Sequence, residues 1–103
     1  MAQTCKWGST DFTVYEAAAT TWNDRAGVYV FATVTPQNYW KALYIGQADS
    51  FQNRLPSHER WDEAARLGAT HIHAAVVPQA VNRDSLEKSL IAQYQPPLNS
   101  QHK

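Results

Sequence analysis

The 103-residue sequence predicts one α+β domain in which helices cover a small sheet. Two observations carry this prediction. From Gly27 onward, segments with strand and helix patterns follow in the order strand, strand, interrupted helix, strand, helix. The composition is 44% apolar and 12% aromatic with only 17% charged residues, which suits a single compact core. It excludes a disordered chain, a collagen and a coiled coil.

The first two strong strand patterns form a hairpin. Residues 27–35 are rich in β-branched and aromatic side chains, and residues 40–47 follow after a short turn at Pro36. The short connection predicts that the two strands are antiparallel. Before them, alternation over residues 11–15 indicates a short strand or extended segment, and the alanines of residues 16–20 indicate a helical turn.

A helix with an internal interruption follows the hairpin. Asp49 or Ser50 is placed to cap a helix that begins near Phe51, and Gly68 is placed to end it. Pro56 falls inside this stretch, so we expect a kink or a break into two helices.

The last two elements are a strand and a helix. Residues 70–77 alternate and predict a third strand, which Pro78 ends. Asn82 or Asp84 is placed to cap a final helix, which the prolines at 96 and 97 stop.

Charge and cysteine content limit the classes of function. Nine Lys and Arg balance nine Asp and Glu, whereas a nucleic-acid binder is usually basic, so such a role needs a local basic site or a partner. The single Cys5 excludes an intrachain disulfide and a cysteine-rich metal site. There is no signal-peptide pattern and no apolar run of membrane-spanning length, so we expect a soluble, cytoplasmic protein without a membrane partner.

Glu87 is the first candidate functional residue. On the predicted last helix it shares a face with Leu90, Ile91 and Tyr94. A carboxylate beside such a stripe is costly unless it is paired, protonated or bound to a metal. Alternatively, the spacing of Asp84 and Glu87 is that of a capping box at a helix start.

Arg54 and His58 are a second candidate pair. They stand four residues apart, so on one helix they project together. Arginine suits forked contact with phosphate oxygens, and histidine exchanges a proton near neutral pH. The alternative is a solvated helix flank in which His58 pairs with Asp62.

Two tyrosines on the predicted hairpin are the third candidates. They occur in Gly27-Val28-Tyr29 and in Tyr44-Ile45-Gly46. Glycines beside tyrosines allow close approach of the backbone and can leave the phenols facing a groove. The alternative is ordinary cross-strand aromatic packing.

Taken in order, these motifs resemble the GIY-YIG nuclease family. Arg54 follows Tyr44 by ten residues, His58 comes one turn later, Glu87 lies on a helix, and Asn99 follows a proline-rich stop. The resemblance covers residues 27–99 and implies a three-stranded antiparallel sheet flanked by helices. Residues 1–26 are then an N-terminal extension packed on this domain, and residues 100–103 are a tail.

The family resemblance implies one bound divalent cation, Mg²⁺ or Mn²⁺, as cofactor. Glu87 resembles its only protein ligand, and carboxylate oxygen is a suitable donor for such a hard cation. Arg54 resembles the residue that binds the scissile phosphate and offsets charge in the transition state.

The resemblance also implies how protons move. Tyr29 resembles the tyrosine favoured as general base for the attacking water, a role that requires its pKa to fall from about 10. Tyr44 and His58 would orient the water or assist proton transfer, and Asn99 would hold the site together by hydrogen bonds.

The activity implied is that of a metal-dependent DNA endonuclease that leaves 5′-phosphate and 3′-hydroxyl ends. Family members act in restriction, repair, recombination and mobile-element homing. With so little sequence outside the domain, we expect weak, poorly specific cleavage, or a partner chain or self-association that supplies affinity for DNA. The alternative is a catalytically weak or inactive module that binds nucleic acid or protein. Val28 stands where the family more often has Ile, and Gln47 where some relatives have Lys.

Two further groups carry weaker hypotheses. His71 and His73 lie on one side of the predicted third strand and with His58 suggest a zinc site, but no fourth ligand with suitable spacing is present. The four tryptophans could stack on bases, although in so small a domain we expect them in the core or partly buried. They are Trp7, Trp22, Trp40 and Trp61.

Overall fold

Five antiparallel strands form one sheet in the order β1-β2-β5-β3-β4. The computed structural model of the protein describes residues 3–99, with the side chain of residue 19 left out, so the predicted tail at 100–103 lies outside the described residues. The strands are β1 (Thr4–Trp7), β2 (Thr10–Glu16), β3 (Gly27–Val34), β4 (Trp40–Ala48) and β5 (His71–Val76). The helices are α1 (Phe51–Arg54), α2 (Trp61–Arg66) and α3 (Ala80–Tyr94), with short 3₁₀ turns at Ala17–Ala19 and Leu55–Ser57.

The prediction of three strands is wrong, because an N-terminal hairpin extends the sheet. Strands β1 and β2 pair through a two-residue connection, and Gly8 takes the positive φ of 63° that such a tight turn favours. Strand β2 then pairs with β5 on the side that β3 leaves open. Buried Trp7 and Phe12 anchor the added strands in the core. The strand expected over residues 11–15 is part of β2.

The predicted interruption at Pro56 is confirmed. Helix α1 begins after Ser50, whose side chain accepts a hydrogen bond from the backbone N–H of Asn53, and it gives way to the 3₁₀ turn that contains Pro56. Helix α2 begins only at Trp61. The predicted helix is therefore divided into two short helices.

The final helix begins earlier than predicted. It starts at Ala80 rather than after Asn82 or Asp84, and no side chain caps its first turn. The Arg83 guanidinium donates to the backbone oxygens of Val77 and Pro78 and thereby holds the segment that leads into α3. Asp84 lies inside the helix, which rules out the capping-box interpretation of Glu87.

Each face of the sheet carries its own core. Odd-numbered residues of β3, such as Tyr29 and Phe31, pack beneath α1 and α2 on what we call the α1–α2 face. Even-numbered residues, such as Val28 and Val30, pack beneath α3 on the α3 face. The four tryptophans are buried or partly buried, as expected. In the described part of the chain, no helix is long and apolar enough to cross a membrane.

Candidate active site

The glycines of both hairpin motifs sit where backbone or ring atoms approach too closely for a side chain. A Cβ at Gly46 would lie 2.5 Å from the hydroxyl oxygen of Tyr29, and a Cβ at Gly27 would collide with the carbonyl oxygen of Ala75. Gly46 lies opposite Tyr29 across the β3–β4 pair. The glycine of the second motif therefore makes room for the tyrosine of the first.

A buried hydrogen bond joins Tyr29 to His58. The Tyr29 hydroxyl oxygen lies 2.6 Å from His58 Nε2, and both side chains are almost fully buried. His58 Nδ1 accepts a hydrogen bond from the backbone N–H of Arg60 at 3.0 Å. A neutral imidazole has one donor and one acceptor nitrogen, so Nε2 carries the ring proton and donates a hydrogen bond to the Tyr29 hydroxyl oxygen. A donor aimed at the phenol oxygen favours the phenolate form.

Burial sets the protonation states of this pair. It raises the pKa of Tyr29, the charge of Tyr44 raises it further, and the positive charge of Arg54 acts in the opposite direction. Burial also lowers the pKa of His58 to about 4, with Arg54 as the next cause. At neutral pH the phenol is therefore protonated and the imidazole uncharged. A general base at Tyr29 needs the opposite shift, which added positive charge near the phenol would supply.

Arg54 and His58 meet at the site, but not as neighbours on one helix. Arg54 is the last residue of α1, whereas His58 follows the 3₁₀ turn in an extended conformation. The Pro56 break turns the chain so that both side chains approach the tyrosines. The half-buried Tyr44 completes the cluster, with its ring centroid 5.3 Å from that of His58 and 6.3 Å from that of Tyr29.

A two-pronged ion pair occupies the guanidinium of Arg54. Its two terminal nitrogens, NH1 and NH2, donate to the two carboxylate oxygens of Glu59 at 2.7 and 3.0 Å. This pair lowers the pKa of Glu59 to about 2 and raises that of Arg54. Sequence reasoning missed Glu59, because only the turn after Pro56 brings it back onto Arg54.

Glu87 is half-buried on α3, and Gln47 of β4 holds its carboxylate. The Gln47 side-chain nitrogen donates to Glu87 Oε1 at 2.7 Å and more weakly to Asp84 Oδ1 at 3.3 Å. Burial raises the pKa of Glu87, and the Gln47 hydrogen bond opposes the rise. Gln47 thus contacts the predicted metal ligand, a role that its place in the sequence did not reveal.

The donor set suits a magnesium-like ion and not zinc. Such ions are commonly held by one or two carboxylates, with water and substrate phosphate as the other ligands, and the half-buried Glu87 can supply that carboxylate. Among residues 3–99, no three His, Cys, Asp or Glu side chains gather as a metal site. The zinc hypothesis is wrong because His58 packs on the α1–α2 face and His73 on the α3 face.

Asn99 completes β4 from outside the sheet. Its side-chain oxygen accepts from the backbone N–H of Ile45, and its side-chain nitrogen donates to the backbone oxygen of Ile45, both at 2.8 Å. The backbone N–H of Leu98 also donates to the carbonyl of Leu43. The segment after α3 therefore fixes β4 between Tyr44 and Gly46.

Solved structures resemble this arrangement of strands and helices. The GIY-YIG N-terminal endonuclease domain of UvrC from Thermotoga maritima, in a point-mutant form bound to its catalytic divalent cation, matches with a TM-score of 0.61 and 27% identity. That match covers 78% of this chain and 88% of the domain. The chain has a GIY-YIG nuclease-like fold.

The same UvrC domain with magnesium bound matches this GIY-YIG-like chain at a TM-score of 0.59 and 28% identity, over 74% of this chain and 84% of the domain. No family model and no curated protein matches the sequence.

Proposed function

We propose that this chain is a metal-dependent DNA endonuclease that hydrolyses phosphodiester bonds to 5′-phosphate and 3′-hydroxyl ends. The observation that carries the proposal is the convergence of three features around β4. They are the buried Tyr29–His58 pair, the Arg54 guanidinium beside it, and the half-buried Glu87 carboxylate held by Gln47. The likeness to an endonuclease domain solved with magnesium supports the choice of reaction and of cofactor.

Glu87 would hold the cation, and Gln47 would keep its carboxylate oriented by the 2.7 Å hydrogen bond. A bound divalent cation supplies positive charge that polarises the scissile phosphate and stabilises the departing 3′ oxygen. Arg54 would contact the same phosphate with its two terminal nitrogens, since a guanidinium matches two phosphate oxygens at once.

Tyr29 would accept a proton from the attacking water as a phenolate. Its raised pKa keeps it protonated in the resting protein, so the phenol would release this proton to solvent and become the base when positive charge assembles around it. His58 would stabilise this phenolate through its Nε2–H without taking the proton itself, because Nδ1 is engaged by Arg60.

Tyr44, half-buried beside Tyr29 and His58, would orient the water. Asn99 would keep β4, and with it Tyr44, in place.

The experiment is cleavage of plasmid, single-stranded and branched DNA with Mg²⁺, with Mn²⁺ or with chelator. Glu87→Gln removes the charged ligand at nearly constant volume, and we expect cleavage to fall by about 1000-fold or more. Glu16→Gln makes the same chemical change at an exposed position on β2 and should cleave like the wild type. Calorimetric titration with Mn²⁺ should show weaker binding for Glu87→Gln alone.

Metal-dependent cleavage that survives in Glu87→Gln would contradict the assignment of the ligand. Folded wild-type protein that cleaves none of the substrates would instead favour the alternative, a binding module without useful catalysis. The neutral net charge of the chain favours this alternative, because proteins that bind nucleic acid on their own are usually basic. A partner protein or self-association that supplies affinity for DNA is part of the proposal, because the chain has no net positive charge of its own.

A further inference from the structure

The contact between Arg54 and Glu59 has the form of substrate recognition. Arg54 offers two parallel N–H donors, and Glu59 accepts one on each carboxylate oxygen, at 2.7 and 3.0 Å. A guanidinium binds carboxylates and phosphates with this same forked geometry. The two nitrogens that a phosphate would use are therefore engaged by a side chain of the protein itself.

Glu59 is placed so that it can leave. Its side chain is 66% exposed and that of Arg54 is 39% exposed. An ion pair between side chains this exposed is weak, because both partners stay well hydrated, so a phosphate can compete with Glu59 for the guanidinium. The carboxylate can rotate into water without unfolding anything around it.

The backbone on both sides of Glu59 is tied down independently. The preceding His58 is buried against Tyr29, and the backbone N–H of the following Arg60 bonds to His58 Nδ1. Breaking the Arg54–Glu59 pair therefore frees one side chain and leaves the Tyr29–His58 hydrogen bond in place. Replacing Glu59 by a phosphate would therefore change the contacts of Arg54 alone.

We propose that Glu59 is an internal substitute for the substrate phosphate, which occupies Arg54 in the resting protein and is displaced when a DNA strand binds. This inference rests on the function proposed above. Glu59 subtracts from the affinity of every nucleic acid, so a strand held by contacts elsewhere displaces it more readily than a strand held at Arg54 alone. The device therefore disfavours nucleic acid that contacts the protein at Arg54 alone.

The test measures binding in the absence of cleavage. Short fluorescein-labelled duplex and single-stranded DNA are titrated with protein in low salt and chelator, and fluorescence anisotropy is recorded. Glu59→Gln removes the charge at constant size, and we expect about fivefold tighter binding, because a neutral amide competes less well than a carboxylate for Arg54. Asp11→Asn is the matched control, since it removes the same charge from the exposed pair that Asp11 of β2 forms with Lys6 of β1, away from the site. We expect less than about twofold change there.

A second pair of variants separates competition from a general change in charge. Combining Arg54→Ala with Glu59→Gln should abolish the gain, so that the double variant binds no more tightly than Arg54→Ala alone. The proposal is overturned if Glu59→Gln binds no tighter than Asp11→Asn, or more weakly than wild type, or if the gain persists without Arg54. It is also overturned if no protein in the series binds DNA. Loss of cleavage by itself would count against the proposed endonuclease and would leave this binding result standing.

Discussion

Two buried histidines, His58 and His73, lie on opposite faces of the sheet and differ in what surrounds them. Burial lowers the pKa of each to about 4. His58 has partners on both nitrogens, Tyr29 and the backbone of Arg60. His73 Nδ1 accepts a hydrogen bond from the Trp7 indole at 2.9 Å, while its Nε2 has no hydrogen-bond partner among residues 3–99. The His73 ring also stands edge-to-face with the indole of Trp40.

The comparison shows that a shifted pKa alone does not identify a functional residue. What distinguishes His58 is that its Nε2 contacts another ionisable group, Tyr29, beside the exposed guanidinium of Arg54. His73 is enclosed by tryptophans and contacts no group that could exchange a proton with substrate. We therefore propose that His58 serves the chemistry and that the His73 cluster on the α3 face serves stability.

The largest expected effect separates the two histidines by activity. His58→Ala removes the donor that would stabilise the Tyr29 phenolate, and we expect cleavage to fall by about 100-fold to 1000-fold. His58→Gln should recover part of this loss, because its side-chain amide can donate in place of Nε2–H. His73→Asn should cleave like wild type per folded molecule. Equal losses of initial cleavage rate in His58→Ala and His73→Asn would refute the different roles given to the two histidines.

The next effect concerns stability in acid. Both histidines stay neutral in the folded protein down to about pH 4, whereas in the unfolded chain they bind a proton near pH 6.5. The unfolded state therefore binds more protons between these values, and stability present above pH 6.5 is lost as the pH falls towards 4. Each histidine contributes about 3 kcal/mol to this loss.

Urea unfolding at several pH values between 7 and 4 checks the acid prediction. His73→Asn keeps an acceptor for Trp7 and should flatten the dependence on pH by about half. An unchanged slope in His73→Asn would show that burial of His73 does not drive the acid response.

The smallest expected effect is that of Gly46→Ala, which should lower both stability and activity on the α1–α2 face. Gly46→Ala places a methyl group 2.5 Å from the Tyr29 hydroxyl, so the buried ring must shift. We expect a loss of about 1–3 kcal/mol in the free energy of unfolding, together with slower cleavage. A variant with wild-type stability in urea and wild-type rates would show that the ring has room to move.

Strands and breaks with strong local signals were predictable from the sequence. Strands β3, β4 and β5 were predictable because they are rich in β-branched and aromatic residues. The break in the helix was predictable because proline disrupts a helix interior, as Pro56 does here. The β1–β2 hairpin was not predicted as such, because β1 is only four residues long and one glycine turn separates the strands. The start of α3 was misplaced because Arg83, a side chain from within the helix, fixes it in place of a capping residue.

Residue identity at the site was predictable only in part. Tyr29, Arg54, His58 and Glu87 were chosen from their order in the chain, and whether they act as the resemblance implies awaits the experiments above. The Gln47–Glu87 contact joins residues 40 positions apart. The direction of the Tyr29 pKa shift depends on its burial on the α1–α2 face. Neither has a local signature, because both arise only when distant segments pack.

The amide of Asn99 has a consequence for how copies of the protein meet. β4 is an edge strand, and an edge strand with unpaired backbone groups can add a strand from another molecule. By bonding both backbone groups of Ile45, Asn99 gives β4 the pairing that a sixth strand would otherwise provide. The residue expected to order the site thereby also makes that stretch of β4 a poor template for aggregation.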